Sequence, residues 1–232
     1  MGGIVDAASS QLGSGIVPGS YISIYGTGLS DSSSVATTAA LPLALDSVSV
    51  SFDVPSANLS APGYLYYVSP GQVNVQVPWE LAGQTSVQIK VSIDQSSGTV
   101  LTVPVVPVAP ALFVYGQSLA AALDQNALLI GAANPARRGS TVSLFANSLG
   151  QVSNQPATGD PAPSSPLAQT VTGPTVTVGG IPAAVQFSGL APGFSGLYQV
   201  NIAIPANVPA GVQPVVITAG GVASPAARLN VQ

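Results

Sequence analysis

Cysteine and histidine are absent from this chain of 232 residues, and Lys90 is its only lysine. Without Cys, the chain cannot form disulfides, iron–sulfur clusters or zinc–thiolate sites. Without His, it lacks the commonest general base, the Ser-His-Asp arrangement and most catalytic metal sites. Schiff-base or Ser-Lys chemistry would depend on Lys90 alone. These absences predict a protein that is not an enzyme, and they predict no cofactor and no metal site.

Charge is also scarce, because 5% of the residues are charged and the net charge is −4. A typical soluble domain has about 25% charged residues. Binding to nucleic acid is not predicted, since it needs clustered Lys and Arg. None of the eight acids has the spacing of a calcium loop. A glycosidase pair such as Asp53 with Glu80 stays open, although solvated loop acids are the favoured interpretation.

Long apolar runs are missing too, so no membrane span is predicted. The first residues, Met1–Ile4, have neither a charged n-region nor an apolar h-region, so we expect no signal peptide in this chain. Ser, Thr, Asn, Gln and Gly dominate the polar positions, which is typical of an extracellular protein.

What the chain does contain is a repeated pattern of alternating polar and apolar residues. The segments Gln72–Pro78 and Gln199–Pro205 read QVNVQVP and QVNIAIP, which is the period of a half-buried strand that ends at proline. Four further pairs of blocks follow the same order, which predicts a duplicated β domain: Gly19–Leu29 with Gly139–Leu149, Ser47–Phe52 with Thr175–Val178, Ala61–Tyr64 with Ala191–Phe194, and Ser86–Val91 with Pro214–Thr218.

Short strands separated by turn signals predict an all-β chain of two tandem immunoglobulin-like β-sandwich domains, 1–107 and 108–232. A proline-spaced, semi-rigid connection joins them. We expect loops at Ser30–Ala40 and Gln155–Gln169, the second of them exposed, and a helical turn near Pro78–Leu81. The predicted strands are Tyr21–Tyr25, Ser47–Phe52, Leu65–Val68, Gln72–Val77, Ser86–Ile93, Val100–Val105, Ala111–Tyr115, Leu119–Leu123, Thr141–Ala146, Thr175–Val178, Ala184–Phe187, Gly196–Ile204, Gln213–Ala219 and Arg228–Val231.

Four aromatic residues of the first half form the candidate ligand contact: Tyr64, Tyr66, Tyr67 and Trp79. Their faces could stack on the apolar faces of sugars. The alternative, which the pattern favours, is that they fill the core of the sandwich and close its end.

Three smaller features admit specific hypotheses. Lys90 could form an internal amide bond with Asn74 beside Glu80, although a solvated strand lysine is favoured. The segment Asn58–Ser60 is a formal N-glycosylation acceptor, which we expect to be idle in a bacterial protein. The repeated Gln and Asn side chains share one strand face, and we expect them to tie adjacent loops by hydrogen bonds.

Four long motifs stand out in this chain: GIVDAAS at Gly3–Ser9, IVPGSYISIYGTGL at Ile16–Leu29, YYVSPGQVNVQVPW at Tyr66–Trp79 and GLAPGFSGLYQVN at Gly189–Asn201. They resemble a known family, the uncharacterised C-terminal domain of large secreted acidobacterial (Solibacter-type) proteins. Each half also resembles, more weakly, the immunoglobulin-like IPT/TIG fold. The family resemblance covers almost the whole chain and implies export and a terminal module on longer proteins, with no catalytic residues to transfer.

Two functions are therefore expected for a non-enzymatic extracellular or cell-surface protein. The first is a structural or adhesive module that associates with itself, in fibres or filaments, or with other cell-surface proteins, because so few charges guard its strand edges. The second is a carbohydrate-binding module that uses the aromatic cluster.

Overall fold

The protein is described by a computed structural model that covers residues 3–94 and 96–232, so Met1, Gly2 and Gln95 lie outside the described residues. Its sheets are built almost entirely from antiparallel pairs, and the all-β sandwich prediction is confirmed. Short 3-10 turns lie at Pro55–Ala57 and Trp79–Leu81. The strands are β1 Gly3–Asp6, β2 Tyr21–Tyr25, β3 Ser34–Val35, β4 Ala44–Leu45, β5 Val48–Val54, β6 Leu59–Pro62, β7 Tyr64–Ser69, β8 Gln72–Gln76, β9 Ser86–Ile93, β10 Ser96–Ser97, β11 Leu101–Pro104, β12 Ala111–Leu112, β13 Val114–Tyr115, β14 Leu119–Ala120, β15 Ala122–Leu123, β16 Thr141–Asn147, β17 Thr175–Val178, β18 Ile181–Leu190, β19 Tyr198–Ala203, β20 Gly211–Ala219, β21 Val222–Ala223 and β22 Ala227–Val231.

The first half of the chain forms two facing sheets. One has the order β1-β2-β8-β7-β3, and the other has the order β10-β9-β5-β4 with β11 and β6 added at β9 and β5. Valine and isoleucine alternate with polar residues along these strands, so one face of each sheet is buried in the core and the other points outward. The buried faces share one apolar cluster that includes Phe52, Leu65 and Ile89.

The second half forms one continuous sheet of 11 strands that folds back on itself. The sheet passes from one layer to the other at β18, whose first residues pair with β17 and whose later residues pair with β19. A register shift between Val185 and Phe187 marks the place where β18 bends. Bulges of this kind increase local twist and allow one strand to serve both layers of a sandwich.

The register of the strands supports the internal duplication. In the first half, β7 shifts register between Leu65 and Tyr67, and Tyr67 pairs with Asn74. In the second half, β18 shifts register between Val185 and Phe187, and Phe187 pairs with Asn201. The two QVN segments therefore hold equivalent places, each beside a bulged strand.

One of the five matched blocks is wrong. Ala61 on β6 pairs with Phe52 on β5, and the corresponding pair in the second half is Ala183 on β18 with Val176 on β17. Ala191–Phe194 instead lies in the turn between β18 and β19, where the first half has a tight hairpin between Ser69 and Gln72. The Pro-Gly turn predicted at Ala61–Tyr64 is wrong, because Ala61 and Pro62 end β6 and Gly63 alone separates them from β7. The two Ala-Pro-Gly-aromatic segments are alike in sequence only.

The connection between the halves is hydrogen-bonded to both of them. The amide of Val106 donates to Ile16 O at 2.9 Å, and the amide of Ala109 donates to Ser148 O at 3.0 Å. Val106 packs against Gly15, and Val108 packs against Gly150 and Gly220, where any side chain would collide. The connection is therefore fixed in place rather than free to swing.

Strands at the sheet edges are short. Those that pair on one side only, such as β1, β3, β4 and β11, contain two to four residues. Short edge strands are one way in which proteins limit pairing between subunits, so the edges give little support to self-association. Self-association stays a prediction, and light scattering that shows only monomer at high protein concentration would contradict it.

The internal amide bond between Lys90 and Asn74 does not fit the fold. Asn74 lies on β8 of one sheet and Lys90 lies on β9 of the other. Both residues alternate with buried valine or isoleucine, so both project from the outer faces of their sheets. The core of the sandwich separates them.

Among the described residues no helix is long and apolar enough to cross a membrane.

Candidate functional site

Asp6, at the end of β1, is the centre of a buried polar contact between the two halves. It is 3% exposed. Its Oδ1 accepts hydrogen bonds from the amides of Ala8 and Ser9, both at 2.9 Å. Its Oδ2 accepts from Asn147 Nδ2 at 2.8 Å and from Ser148 Oγ at 2.6 Å. Four donors thus replace the water that a buried carboxylate loses.

Asn147 continues this contact along the backbone of the first domain. Its Oδ1 accepts from the amide of Tyr21 at 3.0 Å, and its Nδ2 also donates to Tyr21 O at 2.8 Å. A side chain of β16 therefore pairs with the start of β2 as a neighbouring strand would. These two hydrogen bonds fix the position of β16 relative to β2.

Trp79 belongs to the first half of the chain but packs in the core of the second. It is 5% exposed and joins the apolar cluster that contains Leu149, Tyr198 and Ile204. Gly19 lies directly under the ring, where a Cβ would come within 2.1 Å of the indole. Because the ring is enclosed, it offers no face for a sugar to stack on.

The turn around Trp79 is held by the long loop of the second half. Thr158 Oγ1 accepts from the amide of Trp79 at 3.1 Å and donates to Glu80 Oε2 at 2.8 Å. The amide of Gly159 donates to Gln76 Oε1 at 2.8 Å, and Gln76 Nε2 donates to Gly19 O at 3.2 Å.

The loop 155–169 is not simply exposed, contrary to the sequence prediction. Thr158, Gly159, Ala162 and Ala168 are buried in it. Its small residues allow close packing, since the ring of Tyr64 lies where a Cβ on Gly159 would stand. The other predicted loop, 30–40, contains the short strand β3.

The contacts between the halves leave an open groove beside them, with a volume of about 750 Å³. That size lies within the ordinary range of ligand sites. Its lining comes from both halves: Ala7, Tyr21, Ala36, Thr37, Thr38, Ala39, Leu41, Tyr66 and Asn74 from the first, and Phe113, Ala121, Phe145, Gly193, Phe194, Ser195 and Leu197 from the second. We call this space the interdomain groove.

The wall of the interdomain groove on the first domain is the outer face of β2, β8 and β7. Tyr66 is the extra residue of the β7 bulge and is 47% exposed. Its ring meets that of Tyr21 edge to face, with centroids 6.0 Å apart and an angle of 71° between the planes. Such pairs are favourable because the positive edge of one ring faces the negative face of the other.

The opposite wall is formed by one row of hydrogen-bonded residues in the second domain. The amide of Phe113 donates to Phe145 O at 3.0 Å, that of Phe145 donates to Ala121 O at 2.9 Å, and that of Ala121 donates to Phe113 O at 2.7 Å. Phe113 and Phe145 are half-buried. This wall is therefore apolar and held by backbone bonds.

Loops from both halves close one end of the interdomain groove. Ser195 Oγ lies 2.9 Å from both Ala39 O and Gly159 O, and the amide of Leu41 donates to Gly159 O at 2.8 Å. Phe194, beside them, is 58% exposed and stands on the rim.

The lining carries no acid, lysine or arginine, so its only ionisable groups are two tyrosines. Burial raises the pKa of Tyr21, and the neighbouring Tyr66 raises it further. The phenol of Tyr21 therefore keeps its proton at physiological pH. The groove is electrically neutral and offers aromatic surface with a few hydroxyl and amide groups.

The four aromatic residues predicted as the ligand contact do not line one surface. Tyr66 lines the interdomain groove, whereas Tyr64 and Trp79 pack against residues of the second domain. Tyr67 is half-buried on β7, where the hydroxyls of Ser69 and Ser33 lower its pKa. Only Tyr66 of the four is in the lining of the groove.

Two polar predictions also need correction. The repeated Gln and Asn side chains bond within the sheet instead of tying loops. Gln72 Nε2 donates to Asn74 Oδ1 at 2.7 Å and Gln199 Nε2 donates to Asn201 Oδ1 at 2.8 Å, and each pair also bonds a serine of the neighbouring strand. The carboxylates of Asp53 and Glu80 have separate partners: Asp53 accepts from Ser51 and Ser60, and Glu80 accepts from Thr158. Within residues 3–94 and 96–232, no group of three or more acids could hold a metal ion.

Sequence reasoning missed Asp6, Asn147 and Gln76, which hold the two halves together. These residues could have been found by comparing the two halves of the chain, because they are not repeated at the equivalent positions. Gln76 corresponds to Ala203 and Trp79 to Ala206 when the QVN segments are aligned, and Asn147 corresponds to Thr27. A contact between two unlike surfaces has to use residues that the duplicate does not repeat.

Comparison with known proteins assigns no family to this chain. The chain matches no protein-family model and no curated protein. One similar solved structure is SGBP-B of the Bacteroides ovatus mixed-linkage glucan utilization locus in complex with a mixed-linkage heptasaccharide; the identity is 11% and the TM-score 0.35, over 98% of this chain and 46% of that one. Another is a mouse coronavirus receptor-binding domain complexed with its murine receptor, at 13% identity and a TM-score of 0.22, over 99% of this chain and all of that one. Likenesses this weak carry no argument about function.

Proposed function

We propose that this chain is a non-enzymatic, extracellular binding module that holds a neutral carbohydrate in the interdomain groove. The observation that carries the proposal is the lining of the groove, which combines aromatic rings from both domains with hydroxyl and amide groups and has no charged side chain. Sugars combine apolar C–H faces with neutral hydroxyls, so they match both parts of such a lining.

The neutral lining also argues against other ligand classes. An anionic ligand such as a phosphate or a carboxylate would find no Arg or Lys to pair with. A basic peptide would find no acid there. Asp6, which precedes Ala7 of the lining, is buried and already accepts four hydrogen bonds.

An extracellular location is proposed on the family resemblance and the composition. The resemblance to a terminal module of secreted proteins implies export, and a surface rich in Ser, Thr and Asn is common outside the cell. A carbohydrate-binding module at the end of a longer secreted protein would attach that protein to a polysaccharide.

The experiment is a calorimetric titration of the full chain with a panel of neutral and charged oligosaccharides. Phe194→Ala and Tyr66→Ala remove exposed rings of the rim and the wall, so neither should disturb the fold. We expect each to weaken binding about tenfold, since aromatic contacts contribute roughly 1 kcal/mol or more beyond their buried area.

Tyr25→Ala is the matched control. Tyr25 lies on β2 with Tyr21 and is 40% exposed, but it is not part of the groove lining. Binding that is lost equally in the control, or that survives both groove variants unchanged, would place the ligand elsewhere.

A further inference from the structure

We propose that Asn74 is the hydrogen-bond donor through which the interdomain groove holds an oxygen of its carbohydrate, and that Gln72 and Ser23 set the orientation of this donor. The role of Asn74 rests on the proposed function and adds the residue that recognises the polar part of the ligand. It follows from the way in which the Asn74 amide is hydrogen-bonded.

Only one side of the Asn74 amide is occupied by the protein. Asn74 lies in the middle of β8 and lines the interdomain groove. Its Oδ1 accepts from Ser23 Oγ at 3.0 Å and from Gln72 Nε2 at 2.7 Å. Within residues 3–94 and 96–232 its Nδ2 makes no hydrogen bond, and it is not one of the buried atoms that lack a partner. Solvent therefore reaches Nδ2, and its N–H groups are the part of the side chain that a ligand can use.

The two bonds to Oδ1 hold the amide in one orientation. Ser23 lies directly across from Asn74 on β2 and is 4% exposed. Gln72 lies two residues before Asn74 on β8, on the same face of the sheet. A turned amide would set Nδ2 of Asn74 against Nε2 of Gln72, which are both donors. A donor that is already oriented costs the ligand less entropy than one that has to be ordered on binding.

Other polar side chains of the lining are either engaged or less fixed. Ser195 Oγ lies 2.9 Å from two backbone oxygens at the closed end, and Thr38 Oγ1 donates to Ala40 O at 2.6 Å. Thr37 lies in an exposed loop. Asn74, by contrast, stands on a central strand of its sheet with its amide held by two bonds.

Asn74 stands beside the tyrosines of the groove. Tyr21 lies two residues before Ser23 on β2, so Tyr21 and Asn74 are neighbours on the outer face of one sheet. The ring of Tyr66 meets the ring of Tyr21 there. A sugar that stacks a C–H face on a tyrosine carries its oxygens around the edge of its own ring. A donor beside the tyrosine is placed to reach one of these oxygens.

The second domain contains the same three residues outside the groove. Gln199 Nε2 donates to Asn201 Oδ1 at 2.8 Å, and Ser143 lies directly across from Asn201 on β16. None of these three described residues lines the groove. The duplication therefore supplies a matched control, in which the same side chains occupy equivalent strands without access to the ligand.

The test is a calorimetric titration of the full chain with four neutral oligosaccharides: cellohexaose, xylohexaose, β-linked mannohexaose and chitohexaose. Asn74→Ala should weaken binding of the tightest of the four about tenfold, since one hydrogen bond to a ligand contributes about that ratio. Asn201→Ala removes the same side chain from the second domain and should leave the affinity unchanged. The fluorescence of Trp79 checks that each variant is folded.

Gln72→Ala tests the orientation of the donor. It should weaken binding about threefold by releasing the amide of Asn74. In the presence of Asn74→Ala the same change should have no effect on affinity, because no amide is left to orient. Ser23→Ala should behave in the same way, and Gln199→Ala should leave the affinity unchanged. A merely structural effect of Gln72→Ala would persist in the double variant.

The outcomes separate the role of Asn74 from the proposed function. Binding that Asn74→Ala leaves unchanged, or that Asn201→Ala weakens equally, overturns the role of Asn74 and leaves the carbohydrate site in place. Losses from Gln72→Ala and Asn74→Ala that add in full overturn the orienting role of Gln72. If none of the four oligosaccharides binds, the proposed function is overturned and the role of Asn74 with it.

Discussion

Oδ2 of Asp6 accepts a hydrogen bond from Nδ2 of Asn147 at 2.8 Å, and this bond joins the first strand of one domain to the end of a central strand of the other. Because Ser148 donates to the same oxygen and two backbone amides donate to Oδ1, the carboxylate is fully enclosed by donors. Burial of a carboxylate is tolerated only with such partners.

Replacement of Asp6 should therefore weaken the whole tandem. Asp6→Ala leaves the amide of Asn147 and the hydroxyl of Ser148 short of an acceptor in a buried place, and we expect a loss of about 3 kcal/mol in the free energy of unfolding. Urea denaturation measures it. Asp31→Ala removes the same charge from an exposed position and should have little effect. Equal losses in the two variants would contradict a specific role for Asp6.

Trp79→Ala should destabilise the second domain although the residue belongs to the first. The change empties space in the apolar cluster around Tyr198 and Ile204, for which we expect a loss of about 4 kcal/mol. Hydrogen exchange should show the loss of protection in β16 and β19. Trp79→Phe keeps an aromatic ring there and should cost much less. Protection that falls only in the first domain would contradict this packing.

Trp79 is also the only tryptophan, so its fluorescence reports on the contact between the domains. We expect blue-shifted emission and poor quenching by acrylamide in the native protein, because the ring is 5% exposed. Asp6→Ala should increase quenching under mild denaturant before the strands unfold. An emission maximum typical of indole in water would be inconsistent with the packed ring.

Gln76→Ala removes an amide that bonds a backbone group of each domain. The amide of Gly159 and the carbonyl of Gly19 would lose their partners, and we expect a cost of about 2 kcal/mol. Gln72→Ala is the control, since Gln72 is the same residue on the same strand face and its side chain bonds Asn74 within the first domain. Gln76→Ala should lower the denaturation midpoint more than Gln72→Ala. A midpoint that falls further in the control would argue against the bridge.

Stability should decline in alkaline solution because of two tyrosines. Burial raises the pKa of Tyr198 and of Tyr21 above the ordinary value of 10.0. Above pH 10 the unfolded chain therefore releases protons that the folded chain retains. The contribution of the two neutral phenols to the free energy of unfolding is complete below pH 10 and is lost as the pH rises further. Urea denaturation across this range measures it, and ultraviolet titration should show two of the seven tyrosines ionising late. Tyr198→Phe should flatten the decline, and a decline that it leaves unchanged would contradict this assignment.

Much of the fold follows from the local pattern of the sequence. Alternation predicted Tyr21–Tyr25, Ser86–Ile93 and Thr175–Val178 with their observed bounds, because a half-buried strand must alternate. The first strand, Gly3–Asp6, was missed because four residues are too few to show a period. The block Ala191–Phe194 was misplaced because the same four-residue pattern lies in strands in the first half and in a turn in the second.

The candidate site was largely beyond the reach of the sequence. Tyr66 was named as a candidate contact, but Phe113, Phe145 and Phe194 lie far from it along the chain and meet it only when the domains dock. Burial of Trp79 in the core of a sandwich was the favoured interpretation, but the core that receives its ring belongs to the other domain, which the sequence did not indicate. Contacts between domains depend on loops that carry no periodic signal.

Asp6 and Asp124 hold equivalent places in the two domains, and their hydrogen bonds show whether the contact between the domains could be repeated. Val5 pairs with Ser23 as Leu123 pairs with Ser143, so Asp124 holds the place in the second domain that Asp6 holds in the first. Asp124 is already bonded within its own domain, at 2.8 Å by the amide of Asn126 and at 3.2 Å by Nδ2 of Asn134. The place of Trp79 is taken by a small alanine. The second domain therefore could not hold a third copy in the way that the first domain holds the second. The duplication has produced a contact between domains that has a direction and forms once.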